Sequence, residues 1–429
     1  MGRKLWGSVV FLALTLAGEG LAAADDLSMD QGVQVALQRN RDVIAARLEI
    51  DAAQVDRIAA GLYWNPIFSY TVSNIVLGAG NPQGDQRISP GPFSQLVHTV
   101  SVSEVIDVWA KRQARISAAN LGIDQRRLRI EDALREIVFV VRGAFLDVVR
   151  EQSENALRRT MKARYDETIR LSRARVSAGD ISPFEGQKIE LEGLKYQNAL
   201  IDADLELDLA RERLAALLGL ASAAQITGPA VVSEKPRAAP ALGPLIARAL
   251  EDRPDLRAAR KQQLLADAMI SAARREAYPD ISVGVAYTHS EFTASGDNAN
   301  GLGLNVSLPL PVFDRNQAGI ARGRLDYKRA ENDIARLNLV VQLEVREAVR
   351  RVERSSTLLD VYEGGGMLSR SDNALRVAES SYKAGAVSLL ELLEAQRTFI
   401  ETRAQYLQVQ DDYRKASIQV THAVSEKLQ

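Results

Sequence analysis

The 429 residues contain no cysteine, which removes disulfides, thiolate metal ligands and cysteine nucleophiles together. It also removes a lipid-modified cysteine at a processed N-terminus. Histidine is nearly absent: His98, His289 and His422 are too scattered along the sequence to build a metal site within one chain. With only five methionines beside them, the residues predict no metal and no cofactor. An excess of either charge is missing too, with Lys plus Arg 54 against Asp plus Glu 55, so no nucleic-acid surface is expected. No nucleophile-base pair, P-loop or dinucleotide fingerprint is present, which leaves an enzyme reading unsupported.

Long apolar runs are absent except at the start. Arg3 and Lys4 precede "LWGSVVFLALTLAG", and Ala22 and Ala24 flank a cleavage point before Asp25, so 1–24 reads as a secretory signal peptide. Beyond it no run approaches the length of a membrane helix, and any membrane insertion must use strands or an anchor. What is plentiful is Ala, Leu, Glu, Arg and Gln, with aromatics at 5%, a texture of long helices.

The chain is written twice. "RDVIAARLE" at 41–49 resembles "PDLRAARKQ" at 254–262, and "YWNPIFSYTV" at 63–72 resembles "AYPDISVGV" at 277–285, both at an offset of 213. "SVSEVIDVWAKRQARI" from 101 sits opposite "NVSLPLPVFDRNQAGI" from 305, an offset of 204, and "SAGDISPFE" at 177–185 sits opposite "KAGAVSLLE" at 383–391, an offset of 206. The drift places about nine extra residues in the loop near 74–98, as loops absorb insertions. The expected organisation is a first repeat over 25–220, a Pro-, Ala- and Gly-rich linker over 221–243 and a second repeat over 244–429.

Each half reads helix, strand, loop, strand, long helix, turn, helix. Strands are predicted near 66–74, 96–106, 280–289 and 302–309. In "ISVGVAYT" Ile281, Val283, Val285 and Tyr287 alternate with Ser282, Gly284, Ala286 and Thr288, and in 302–308 Leu302, Leu304, Val306 and Leu308 alternate with Gly303, Asn305 and Ser307. Such a strand fits a soluble hairpin on a core, the commoner case, or an outer-membrane strand with lipid on one side and water on the other; the leader and the lack of a covering layer favour the second. Four strands close no barrel, whereas three copies supply about twelve. Pro309 and Pro311 end the last strand, and Asp314 or Asn316 is placed to cap the helix from Gln317. Heptads mark the later helices, with Leu392, Phe399, Tyr406, Tyr413 and Val420 in the last and Ile189, Tyr196, Ala203, Ala210 and Leu217 in its twin, where Gly186 and Gly193 permit close approach. From about 112 to 176 the chain is predicted helical throughout, on the order of 100 Å. "EGGG" at 363–366 predicts a break in the corresponding helix.

The duplicated pattern, "LPLPVFDRNQ", "DVWAKRQAR" and the turns "SAGDIS" and "KAGAVS" together resemble the TolC-type outer-membrane efflux proteins, closest to the CzcC-like heavy-metal branch, over nearly the whole mature chain. The resemblance implies a mainly α protein with a small β part. Three copies would form a twelve-stranded transmembrane β-barrel, in contact with outer-membrane lipid and continued by an α-helical coiled-coil barrel through the periplasm. As a homotrimer it would be the passive exit duct for an inner-membrane resistance-nodulation-division (RND) pump and a periplasmic adaptor. A duct for drugs or secreted polypeptides, or a soluble coiled-coil adaptor or scaffold, are the rival readings.

The resemblance also assigns residues. Ala178, Gly179, Asp180 and Ala384, Gly385, Ala386 would form the tips that meet the adaptor, although read alone they are plain interhelical turns. Glu391 and Glu394 would ring a periplasmic constriction, six carboxylates in a trimer; taken alone, the pair equally fits a solvated helix face. Glu185 and Tyr382 match an acid and a phenol that tie neighbouring tip helices in a closed state, or both face solvent.

Overall fold

The computed structural model describes residues 27–75, 93, 95–222, 241–291 and 298–425. The expected signal peptide at 1–24 and most of the expected linker and of the loop near 74–98 lie outside the described residues.

Long helices dominate. Two short helices, α1 (Met29–Arg39) and α2 (Arg41–Ala60), lead to strands β1 (Ile67–Ser73) and β2 (Val97–Ile106). Then comes α3 (Lys111–Ala178), 68 residues without interruption, and α4 (Pro183–Leu217), which returns beside it. The second half repeats the order with α5 (Leu242–Asp252), α6 (Pro254–Glu276), β3 (Ile281–Ser290), β4 (Asn300–Ser307) and α7 (Gln317–Glu363). It closes with α8 (Met367–Lys383) and α9 (Leu389–Val424). α5 begins inside the end of the stretch expected as linker.

α3 is the hub: it packs on α4 and α9 toward the tips and on α2 and α6 toward the sheet. The heptad positions explain why. On α9, Leu392, Phe399, Val409, Tyr413 and Ala416 are buried, and on α4 so are Ile189, Ala203, Ala210 and Leu214. Gly193 lets α4 come so close that a Cβ there would sit 2.6 Å from Ile169 of α3. α1 crosses outside this layer and buries Val33 and Ala36 against Val141, Phe145 and Leu214, forming the largest core. No helix of the described residues is long and apolar enough to cross a membrane.

The strands form one antiparallel sheet in the order β1-β2-β3-β4, leaving β1 and β4 as edges. Helix starts refine the repeat. α3 begins at Lys111 and α7 at Gln317, 206 residues on, and the left-handed tip glycines Gly179 and Gly385 are again 206 apart. The offset of 204 read at the junction is therefore corrected by two: matching "KRQARI" to "RNQAGI" by letters misses that Ala110 and Asn316, both near φ +53, are the equivalent turning points.

Candidate channel: sheet faces, junctions and tips

The register sorts the sheet into two faces. Val285 pairs with Val102 and Leu304, and Tyr287 with Val100 and Leu302, so these side chains share one side with Phe68, Tyr70 and Val306. Thr99, Ser101, Ser103, Gly284, Ala286, Thr288, Gly303 and Asn305 share the other. The apolar face has no covering helix among the described residues; Leu302 and Leu304 are about four-fifths exposed, at 78% and 81%. An apolar face open to the outside, backed by a face of small and hydroxyl side chains, is what lipid on one side and water on the other require. Gly284 contributes by close approach, since a Cβ there would lie 2.9 Å from the Ser103 Cβ.

Two of the three scattered histidines meet on this sheet. His98 and His289 are direct cross-strand partners on the apolar face, because antiparallel pairing brings residues 191 apart into register. His98 accepts or donates at Nδ1 to the Tyr70 hydroxyl (2.8 Å), and His289 Nδ1 lies 3.0 Å from Asn300 Oδ1. Among the described residues no group of three potential ligands could hold a metal ion.

Below the sheet the chain enters the helices through two differently built turns. At the first, the Asp107 carboxylate accepts from the backbone N–H groups of Lys111 and Arg112, both at 2.8 Å, and caps α3. Lys111, buried, donates to Asp280 (2.8 Å), and Trp109 stacks on Tyr278 while its Nε1–H donates to the Pro279 carbonyl. At the second, β4 stops at Ser307, before Pro309 and Pro311. The expected cap at Asp314 or Asn316 is not formed. Asn316 occupies the N-cap position in a left-handed conformation; its Oδ1 lies over Gly319 of the first turn without accepting from a helix N–H, and Nδ2 donates to the Ala273 carbonyl on α6 (2.9 Å). Asp314 accepts from the Asn316 N–H (2.8 Å) and so stabilises the turn itself.

The tips match each other closely. Gly179 and Gly385 are both left-handed, and Asp180 N–H donates to the Arg175 carbonyl as Ala386 N–H does to that of Ser381, each at 2.9 Å. Each turn is followed by a capping box. Ser182 accepts from Glu185 N–H and the Glu185 carboxylate accepts from Ser182 N–H; Ser388 and Glu391 do the same. Glu185 and Glu391, given different roles above, are thus structural twins. The motifs "SPFE" and "SLLE" carried that signal in the sequence, a serine three residues before a glutamate at a helix start.

Several charges around the tips are engaged within the chain. Hydrogen bonds from Ser388 hold the Glu391 carboxyl below the usual range, so it stays ionised. Glu394 accepts from Arg397 (2.8 Å), a residue the sequence reading passed over. Tyr382 is buried, and its ring faces the Arg175 guanidinium at 5.2 Å, with Arg175 Nη1 donating to the Tyr382 carbonyl (3.4 Å). Within one chain, Glu185 and Tyr382 are engaged with these other partners.

A four-stranded sheet with a lipid-type face, feeding through tight turns into long antiparallel helices, is the build of an outer-membrane channel protein. The outer membrane efflux protein family matches residues 32–220 and 245–426, and the chain belongs to it. It is 26% identical to the cobalt-zinc-cadmium resistance protein CzcC of Cupriavidus metallidurans, over 90% of this chain and 87% of that one. To the toluene efflux pump outer membrane protein TtgF of Pseudomonas putida it is 27% identical, over 89% and 80%. The fold is that of the solved CusC (TM-score 0.75, 18% identity, 93% and 92% covered) and of VceC from Vibrio cholerae (0.73, 18%, 94% and 97%).

Proposed function

We propose that three copies of the chain close a twelve-stranded barrel and a helical tube, and that this duct passes heavy-metal cations out of the cell from an RND pump and its periplasmic adaptor. The observation that carries the assembly is the pair of unfinished edges. Among the described residues β1 and β4 each have only one neighbour, and an open edge in lipid leaves backbone groups unpaired at several kcal/mol each, on the order given by transfer scales. The helices repeat the pattern. α4 lies at one side of α3, α7 and α8 lie beyond α9 at the other, and both margins expose apolar residues: Phe184, Leu191, Leu194 and Leu205 on α4, Val361 and Val377 opposite. The absence of native cysteine makes the test clean: disulfide scanning of 67–73 against 300–307 should give a ladder that ends at three chains. Bands that stay monomeric or extend past three would refute the assembly.

Adaptor docking at 178–180 and 384–386 is part of the same proposal, supported by two matched, exposed turns at one end of the helices. The closed tip is gated by Glu391 and Glu394 around the axis, with Glu185 and Tyr382 as ties between neighbouring helices. Glu391 keeps its charge in this arrangement, while Arg397 offsets that of Glu394, so Glu391→Gln should reduce cation selectivity in single-channel recordings more than Glu394→Gln. Equal or absent effects would remove the ring from the mechanism. The metal reading rests on CzcC. A second reading, small apolar compounds, is favoured by TtgF at the same level of identity. A deletion strain more sensitive to cobalt, zinc or cadmium than to toluene decides for the first, and the reverse for the second.

A further inference from the structure

One feature that the channel reading leaves unused is a cavity of about 300 Å³ beside α1, between α3 and α9. Its wall is mainly apolar, with Leu134, Val138, Phe139 and Ile418. Two polar side chains of the lining, Arg142 and Ser425, break that pattern. Arg142 Nε and Ser425 Oγ are shielded from water and have no hydrogen-bond partner among the described residues. An unpaired buried donor is costly, and a guanidinium in an apolar wall is more so.

The other charges around the cavity are accounted for. Arg135 is saturated by Asp132 (2.8 Å), Glu136 (3.2 Å) and the His422 carbonyl (2.8 Å). Glu131, the one carboxylate in the lining, lies 3.5 Å from Arg257. Among the described residues Arg142 has a single partner, Asp30 at 3.3 Å, whose side chain is 87% exposed. Such a solvated pair is weak and leaves most of the guanidinium available. Arginine is permanently charged and presents a planar fork suited to a carboxylate.

We propose that this cavity binds a compact monocarboxylate with an apolar body, the acid group on Arg142 and Ser425 and the body against Phe139, Val138 and Ile418. The volume lies at the lower end of small-molecule sites, so one aromatic or short aliphatic acid fits and a lipid with two chains does not. The site is separate from the duct's sheet faces and tips, and its occupant would act on the packing of α3 against α9.

Calorimetric titration of the protein in neutral detergent with 1-naphthoate tests this, with decanoate as a second probe and 1-naphthalenemethanol as the uncharged control. Saturable binding at one site per chain is expected for at least one acid and not for the alcohol. Tighter naphthoate identifies an aromatic acid, tighter decanoate a fatty acid. Arg142→Gln should weaken binding at least about tenfold, the loss expected for a hydrogen bond to a charged group, with Arg142→Lys between. Ser425→Ala, at a helix end and benign for folding, should weaken it a few-fold. Equal binding of the alcohol, or affinity unchanged in both Arg142→Gln and Ser425→Ala, overturns the proposal. So does binding seen only after removal of 426–429, which would make the chain's own tail the occupant.

Discussion

The two repeats differ most where they should be most alike. α3 runs 68 residues from junction to tip, whereas its counterpart is cut into α7 and α8 at Gly364–Gly366. The break is built: Gly365 N–H donates to the Asp360 carbonyl (2.9 Å), Gly366 is left-handed, and α9 braces the cut through Tyr406 to Glu363 (2.7 Å) and Tyr362 to Gln405 (3.0 Å). Burial and the Glu363 carboxylate push the Tyr406 phenol up to about 12, so it remains a donor. α3 is held on several sides by α1, α2, α4, α6 and α9, and bending it would disturb all of them. α8 packs chiefly on α9. One repeat is a spine, and the other carries a place to bend.

The largest effects should come from the spine. Phe145, buried in the core under α1, should cost about 3–5 kcal/mol as Phe145→Ala and lower the unfolding midpoint of the whole protein. Leu375→Ala in α8 opens a cavity against Met161 and Phe399 and should cost about 2–5 kcal/mol. Its damage should be local, read as faster proteolysis near the tip at a nearly unchanged global midpoint. Equal global losses from both would erase the distinction.

Glycine substitutions sharpen it further, because one change should have opposite signs in the two helices. A Cβ at Gly143 of α3 meets nothing within 4 Å, so Gly143→Ala should stabilise by up to about 1 kcal/mol through helix propensity. At Gly365 a Cβ would lie 2.5 Å from the Val361 carbonyl oxygen, and at Gly366 it would strain φ +71°. Either should cost about 1–3 kcal/mol. Thermal melts of the three variants check the signs.

Much of this was legible because it depends on local periodicity. Alternation at 281–288 set the sheet faces, heptads on α9 set the buried seam, and "EGGG" set the break. What failed to read depends on distant partners. His98 and His289 meet only through strand register, and Asn316 sits at the N-cap without a side-chain cap bond while its Nδ2 donates to the Ala273 carbonyl of α6. Arg175 finds Tyr382 across 207 residues. The capping role of Glu185 and Glu391 is a different case, since "SPFE" and "SLLE" stated it locally and the resemblance to a gate drew attention elsewhere.

That twinning gives the next comparison. Ser182→Ala and Ser388→Ala each remove a cap and should cost about 1 kcal/mol. If the tips differ only through the break, the loss at Ser388 should spread into α8 and the loss at Ser182 should not, which hydrogen exchange on the two hairpins would resolve.

The smallest effect tests a strut between the halves. Glu136 of α3 accepts from His422 of α9 (2.9 Å), whose ring also stacks on Phe139 at 4.3 Å. That hydrogen bond holds the Glu136 carboxyl below its ordinary value of 4.5, with burial opposing it and the charges of His422 and Arg135 assisting. A carboxylate depressed on folding adds stability that is fully present above its unfolded pKa and is lost as pH falls through the folded one. The wild-type midpoint should therefore drop between about pH 5 and the depressed value by slightly more than that of Glu136→Gln, and the two curves should run parallel above pH 6. Parallel curves throughout would show that His422 holds the two repeats together by stacking alone.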